Sequence, residues 1–281
     1  MYSIDIAWIA VALLVSMILA TEVGYRLGFV SKDAMTEASR THVSAAQAST
    51  LGILALLLAF TLSMSLQRFE TRSDAVVDEA NAIGTAYLRA DLLPGAVRGD
   101  VRRLLRDYVD LRISGSALSV VHEEARGPLL ASALQVQDVL WDRARKAAAM
   151  EPNPVTTGLF IEALNQMIDS YGRRDAAVNR RVPQPVVWLL YGTFLITGAI
   201  VGFSHGVTGQ RPSLPSLAMV ALIVALIVVI LDLDRPRRGL IMVSQERLVE
   251  LQASMRAGVA DAPTGPMGRP SEPSPRDGQR R

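Results

Sequence analysis

Ser49-Thr50-Leu51-Gly52-Ile53-Leu54-Ala55-Leu56-Leu57-Leu58-Ala59-Phe60-Thr61-Leu62-Ser63-Met64-Ser65-Leu66 carries no charge and approaches the roughly 20 residues that an α-helix needs to cross hydrocarbon. Three other blocks match it: Ile4 to Ala20, Val187 to Val207 and Leu214 to Leu231. A soluble core helix can imitate one such block, but four of them, two on each side of a charged middle segment, are hard to bury without lipid. The chain therefore reads as all-α, with four transmembrane helices and a helical bundle between the second and third. The expected units are a first transmembrane hairpin (1–66), a cytoplasmic helical domain (67–183) and a second hairpin (184–234). A cytoplasmic amphipathic segment (235–258) and a disordered tail (259–281), rich in Pro, Gly, Ser and charge, complete the chain.

No Pro or Gly interrupts the chain from Leu66 to Ile83, and Phe69, Val76, Ala80, Ile83 and Tyr87 continue an apolar stripe at helical spacing. The second span is thus predicted to run on as one helix to about Leu93, where Pro94 and Gly95 stop it. Ala96 to Arg112 predicts the next helix, with Val101, Leu104, Leu105, Tyr108 and Leu111 inward and Arg102, Arg103, Arg106 and Asp107 outward. Ser114 to Ser116 read as a break. A third helix follows from about Ser119 to Met150, kinked or divided at Gly127-Pro128, and a fourth after Pro154 buries Phe160, Leu164, Met167, Tyr171 and Val178. Pro183 and Pro185 introduce the third span, Pro212 and Pro215 flank the turn before the fourth, and Ser244 to Met255 predict a last amphipathic helix. No useful alternating strand pattern appears. Within the second span, Gly52, Ala55, Ala59 and Ser63 make one small-residue face, which suits close helix packing or the lining of a narrow pore; both readings stay open.

Basic residues orient the spans. The segment from Gln67 to Arg181 holds sixteen Lys and Arg and the tail from Arg235 holds nine, against Arg26, Lys32 and Arg40 in the first connector and Arg211 in the last. The positive-inside rule then puts both termini and the middle domain in the cytoplasm. Met1-Tyr2-Ser3-Ile4-Asp5 lacks the basic start of a signal peptide, so the first span is expected to be retained. Sixteen acidic residues balance the sixteen basic ones of the middle segment, which argues against nucleic acid as a partner. The tail, nine basic against five acidic residues, suits an anionic leaflet as well as it suits a topology signal.

Catalytic chemistry is hard to find. There is no Cys, and His42, His122 and His205 stand in separate segments without metal-ligand spacing. No phosphate-binding loop, zinc-protease motif or nucleophile elbow occurs. The reading is a non-enzyme with no catalytic, cofactor or metal set. Asp232 and Asp234, two residues apart at the end of the fourth span, do not share a helix face and oppose the macrodipole. They call for nearby Arg partners at the headgroup level, or else make a cation site or, with Arg235, a contact that couples membrane to cytoplasmic helices.

Phe60-Thr61-Leu62-Ser63, Arg68, Phe69, Arg72, Asp78-Glu79-Ala80-Asn81-Ala82-Ile83-Gly84-Thr85-Ala86-Tyr87-Leu88-Arg89, Leu104-Leu105-Arg106-Asp107-Tyr108 and Leu231-Asp232-Leu233-Asp234-Arg235-Pro236 with Gly239 resemble the bestrophin-like family of bacterial membrane proteins. The resemblance covers most of residues 48 to 255. Through distant similarity to bestrophins it implies a homo-oligomer, a pentamer, in which the second span lines a hydrophobic neck for small inorganic anions. Gly52, Leu56 and Phe60 fall at the three neck positions, although Gly52 departs from the bulky apolar residues of bestrophin necks. Arg68 and Arg72 become the candidate anion entrance, with Glu70 and Asp74 placed to cancel their field. The calcium-binding acidic cluster of animal bestrophins is not reproduced. Membrane lipid is the other partner, and a non-conducting scaffold or sensor working through the cytoplasmic domain is the alternative.

Overall fold

A computed structural model describes residues 6–117, 123–211, 213–235 and 241–260. Eight helices follow in order: α1 Ile6–Ser31, α2 Glu37–Arg89, α3 Gly95–Ala117, α4 Glu123–Met150, α5 Leu159–Asn179, α6 Gln184–Thr208, α7 Leu214–Leu233 and α8 Glu246–Ala260. Helices α1, α6, α7 and the first half of α2 are long and apolar enough to span a membrane, and the chain is a multi-pass, all-helical membrane protein.

Helix α2 runs unbroken for 53 residues, about 80 Å at 1.5 Å per residue, so one rigid rod joins the membrane layer to the helical domain. Thr36 starts it by accepting a hydrogen bond from the Ser39 amide, 3.2 Å. A tight turn, Ala90–Leu92, ends it just before Pro94. The expected connector over residues 21–47 is mostly helix instead. Helix α1 persists to Ser31 and only a short turn separates it from Glu37, because no Pro lies between Thr21 and Ser31 and Glu22 pairs with Arg26 one turn on, 2.8 Å.

Two further boundaries differ from expectation. There is no break at Ser114 to Ser116: α3 continues to Ala117, Ser116 turning its hydroxyl onto the Ile113 carbonyl and Gly115 packing near Leu129. Helix α4 starts at Glu123 and carries Pro128 inside it, so Gly127-Pro128 does not divide it. Ser119 to His122, Pro212, Pro236, Gly239 and the tail beyond Ala260 lie outside the described residues.

Val76, Ala80, Ile83 and Tyr87 of α2 meet Val101, Leu105 and Tyr108 of α3, Leu140 of α4 and Phe160, Leu164 and Met167 of α5 in one core. Helix α8 completes it with Leu248 and Met255, so the last amphipathic segment is part of the bundle. A second core, with Met17, Leu54, Leu58, Phe194 and Ile227, holds the four spans together.

The closest helix contact in the membrane layer is not on α2. Gly24 and Gly28 of α1 face the carbonyl oxygens of Ala199 and Phe203 on α6, while Gly202 and Gly206 of α6 face those of Thr21 and Tyr25. Both helices repeat glycine every fourth residue, and this lets their backbones touch. Gly202→Ala should therefore lower the thermal midpoint of the detergent-solubilised protein. The added carbon strikes backbone, and overpacking of that kind costs about 1–3 kcal/mol. Gly192→Ala on the same helix, with open space around its Cα, should be neutral or slightly stabilising; equal midpoints for the two variants would contradict the contact.

Candidate pore-lining face and its anchors

Each residue turns an α-helix by about 100°, so Gly52, Leu56 and Phe60 lie within about 80° of one another on α2. None of them packs inside the subunit. Leu56 is 57% and Phe60 61% exposed, and a carbon added at Gly52 would meet nothing within 4 Å. On the opposite side Leu54, Leu58, Thr61 and Ser65 are buried against the other spans. The small face of Gly52, Ala55, Ala59 and Ser63 is likewise exposed, uncovered by any helix among the described residues.

The exposed line continues below the membrane layer. Ser63, Gln67, Glu70, Asp74, Asp78 and Asn81 repeat at three- and four-residue intervals and are all exposed, up to the half-buried Gly84 and Thr85. Three carboxylates, each one turn from the next, occupy this line, and no basic residue does.

Arg68 and Arg72 turn the other way. Arg72 is buried and donates to the Ala177 and Arg180 carbonyls at the end of α5, 3.3 and 2.8 Å, and to those of Leu233 and Asp234 at the end of α7, 3.0 and 3.3 Å. One guanidinium thus satisfies carbonyls left open at two helix C-termini, where a cation also suits the macrodipole. It does not stand at an open entrance, which corrects the sequence reading. Arg68 reaches toward the Asp234 carboxylate, 3.9 Å away, and is mostly covered.

The same carboxylate accepts from the Val182 amide, 3.0 Å, and Asp232 accepts from the Ile241 amide, 3.0 Å. Asp232, Asp234 and Arg235 are all buried. The residues assigned to coupling therefore gather with Arg68 and Arg72 where α2, α5 and α7 meet.

Deeper in the helical domain, Glu79 is fully buried between two arginines. Arg112 donates through Nε at 2.6 Å and through Nη2 at 3.3 Å, and Arg174 donates from the other side while also reaching Gln245 Oε1 at 2.6 Å. Arg112 also lies over the Tyr171 ring, 4.6 Å from its centroid. Burial acts to lower the Arg112 pKa, yet the Glu79 charge beside it leaves it above the ordinary arginine range. Burial pushes the neighbouring Tyr108 phenol up as well, and it takes a hydrogen bond from Gln137 at 2.9 Å. Three helices, α2, α3 and α5, and the segment leading to α8 are tied by this cluster.

The sequence model of the bestrophin-like domain matches residues 9–248. The chain belongs to the bestrophin-like family. Its fold is also that of a bacterial bestrophin homolog from Klebsiella pneumoniae. One single-substitution variant of that homolog aligns with a TM-score of 0.64 at 13% identity over 89% of this chain and 99% of the other. Another aligns at 0.58 and 14% over 89% and 98%, and a third structure of the homolog at 0.61 and 14% over 88% and 98%. No curated protein matches the chain by sequence. Family membership supports a non-catalytic role for this bestrophin-like chain.

Sequence reasoning passed over two features of this bestrophin-like chain although each had left a signal. Glu79 is a carboxylate on the apolar stripe, three residues from Val76 and four from Ile83, and so had to be buried and paired. The spacing Gly24-x-x-x-Gly28 faces Gly198-x-x-x-Gly202-x-x-x-Gly206 and marks the α1–α6 contact. Of the histidines, His42 is exposed on α2 and His205 is bonded to the Val201 carbonyl and Ser216.

Proposed function

We propose that the protein is a homo-oligomeric ion channel in which α2 of each subunit lines an axial path, narrowed within the membrane by Leu56 and Phe60. The observation that carries this reading is the exposed line on α2 from Gly52 to Asn81, about 44 Å long, beside a packed face. A ring of subunits, five by the resemblance to bestrophins, covers that line with copies of itself. Apolar Leu56 and Phe60 then resist water and hydrated ions, while Gly52 leaves the first level wide. The charge distribution argues against the anion path expected from sequence. Arg68 and Arg72 are occupied inside the subunit, and Glu70, Asp74 and Asp78 on the line give the vestibule below the neck a negative potential that favours cations. Basic residues around the helical domain orient it, with both termini, toward the cytoplasm of the inner membrane.

Exposure on one subunit does not distinguish lipid from water; thiol chemistry does. In a chain without native Cys, Ser63→Cys should react with an impermeant, charged thiol reagent in reconstituted oligomers, whereas Leu222→Cys, exposed on α7, should not. The mass in detergent should be that of a multimer. A monomer, or a position 63 as unreactive as position 222, would favour the non-conducting scaffold.

A further inference from the structure

The exposed line on α2 also runs outward from the neck. Ala38, Thr41, His42, Ala45, Ala48 and Ser49 are all exposed on the turns before Gly52, in the part of α2 farthest from the helical domain. His42 is the one titratable residue among them. It precedes Phe60 by eighteen residues, which is five whole turns at 3.6 residues per turn, so the two project from α2 in one direction, about 27 Å apart. Asp78 follows Phe60 by the same interval. His42 thus stands outside the hydrocarbon run that opens at Ala48, on the side of α2 that carries the neck.

Nothing in the subunit engages the imidazole, which has no hydrogen-bond or ion-pair partner among the described residues. The residues one turn away on α2, Ala38, Ser39, Ala45 and Ala46, are uncharged. The charged groups beside this end of α2 are turned elsewhere. Glu37 and Arg40 project about 140° and 160° away from His42, and Arg40 donates to the Lys32 carbonyl, 3.3 Å. The Lys32 ammonium lies over the Phe29 ring, 4.7 Å from its centroid, and Asp33 is exposed on the turn between α1 and α2. On α1, Glu22 and Arg26 pair with each other at 2.8 Å, and Arg211 after α6 lies over the Tyr25 ring at 5.5 Å.

Imidazole is the side chain whose ordinary titration, neutral to cationic, falls within the physiological pH range. Repeated in every subunit around an axial path, His42 gives the mouth no charge when neutral and a ring of positive charge when protonated, opposite in sign to the acidic line below the neck. We infer that His42 is a proton-binding site that regulates the path: acid on the face of the membrane opposite the helical domain protonates the imidazoles, and their charge repels cations from the mouth. This switch presupposes the axial path proposed above and supplies its regulation.

The test is single-channel recording of the full-length oligomer in planar bilayers, in the Leu56→Ala/Phe60→Ala background so that the neck does not limit the current, with His42 intact, His42→Gln or His42→Lys. With His42 intact, a step from about pH 8 to about pH 5 on one face of the bilayer should cut the potassium current about threefold, the effect of a ring of unit charges acting across about one Debye length of water. The same step on the other face should leave most of the current. His42→Gln should abolish this one-sided response, and His42→Lys, which fixes the charge, should show the reduced current already at the higher pH. Channels that conduct but whose His42 and His42→Gln forms respond alike to acid on either face would overturn the switch and leave the path standing. No current from an intact oligomer in any of the three would overturn the path and the switch together.

Discussion

Glu79→Leu is expected to destabilise the helical domain by about 3–5 kcal/mol, the range found when one partner of a buried ion pair is removed. The carboxylate is fully enclosed and is the shared acceptor of Arg112 and Arg174. Its loss leaves two guanidinium groups side by side without a counter-charge, in a core where water cannot replace it. Glu79→Gln keeps the shape and an acceptor but not the charge, and should fall between wild type and Leu. Replacing all three residues by Met removes the uncompensated charge and should recover most of the lost stability. Circular dichroism melts in detergent, with trypsin cleavage of the middle segment as a second reading, follow the series. A Glu79→Leu midpoint equal to that of wild type would show that the cluster contributes nothing, and a triple variant no better than the single would show that packing, not charge, is at stake.

The four spans, the bundle between them and the long α2 were legible because each rests on a local rule: enough apolar residues to cross lipid, an apolar stripe at helical spacing, and, for α2, no Pro to stop the helix. Helix ends were less legible. Hydropathy falls after Ala20 and before Ala48, but a helix ends where its hydrogen bonding ends, at Ser31 and Thr36, and apolar content does not report that. The paired arginines show a different failure. Arg68 and Arg72 were read as the anion entrance because they follow the neck on the cytoplasmic extension of α2, yet counting at 100° per residue puts them about 120–160° from Leu56. The same count puts Glu70, Asp74 and Asp78 on the neck's own side. What α2 needed was a single wheel carried across Leu66. The partners of Arg72, by contrast, are backbone carbonyls more than 100 positions away and leave no trace in the sequence.

Conductance of purified Leu56→Ala/Phe60→Ala protein, beside wild type in planar bilayers under a potassium chloride gradient, tests the central claim most directly. Wetting a buried Leu or Phe costs about 1.5–3 kcal/mol, so removing two apolar rings from a neck should lower its barrier by more than the 1.4 kcal/mol that corresponds to a factor of ten. The account predicts an intact oligomer whose double variant conducts at least about tenfold more than wild type, with a reversal potential on the potassium side that moves toward zero when Glu70, Asp74 and Asp78 are neutralised. A well-folded oligomer in which neither wild type nor the double variant conducts would contradict the axial path. A conducting double variant with a chloride-side reversal potential unmoved by neutralising Glu70, Asp74 and Asp78 would contradict the acidic lining and leave the neck standing.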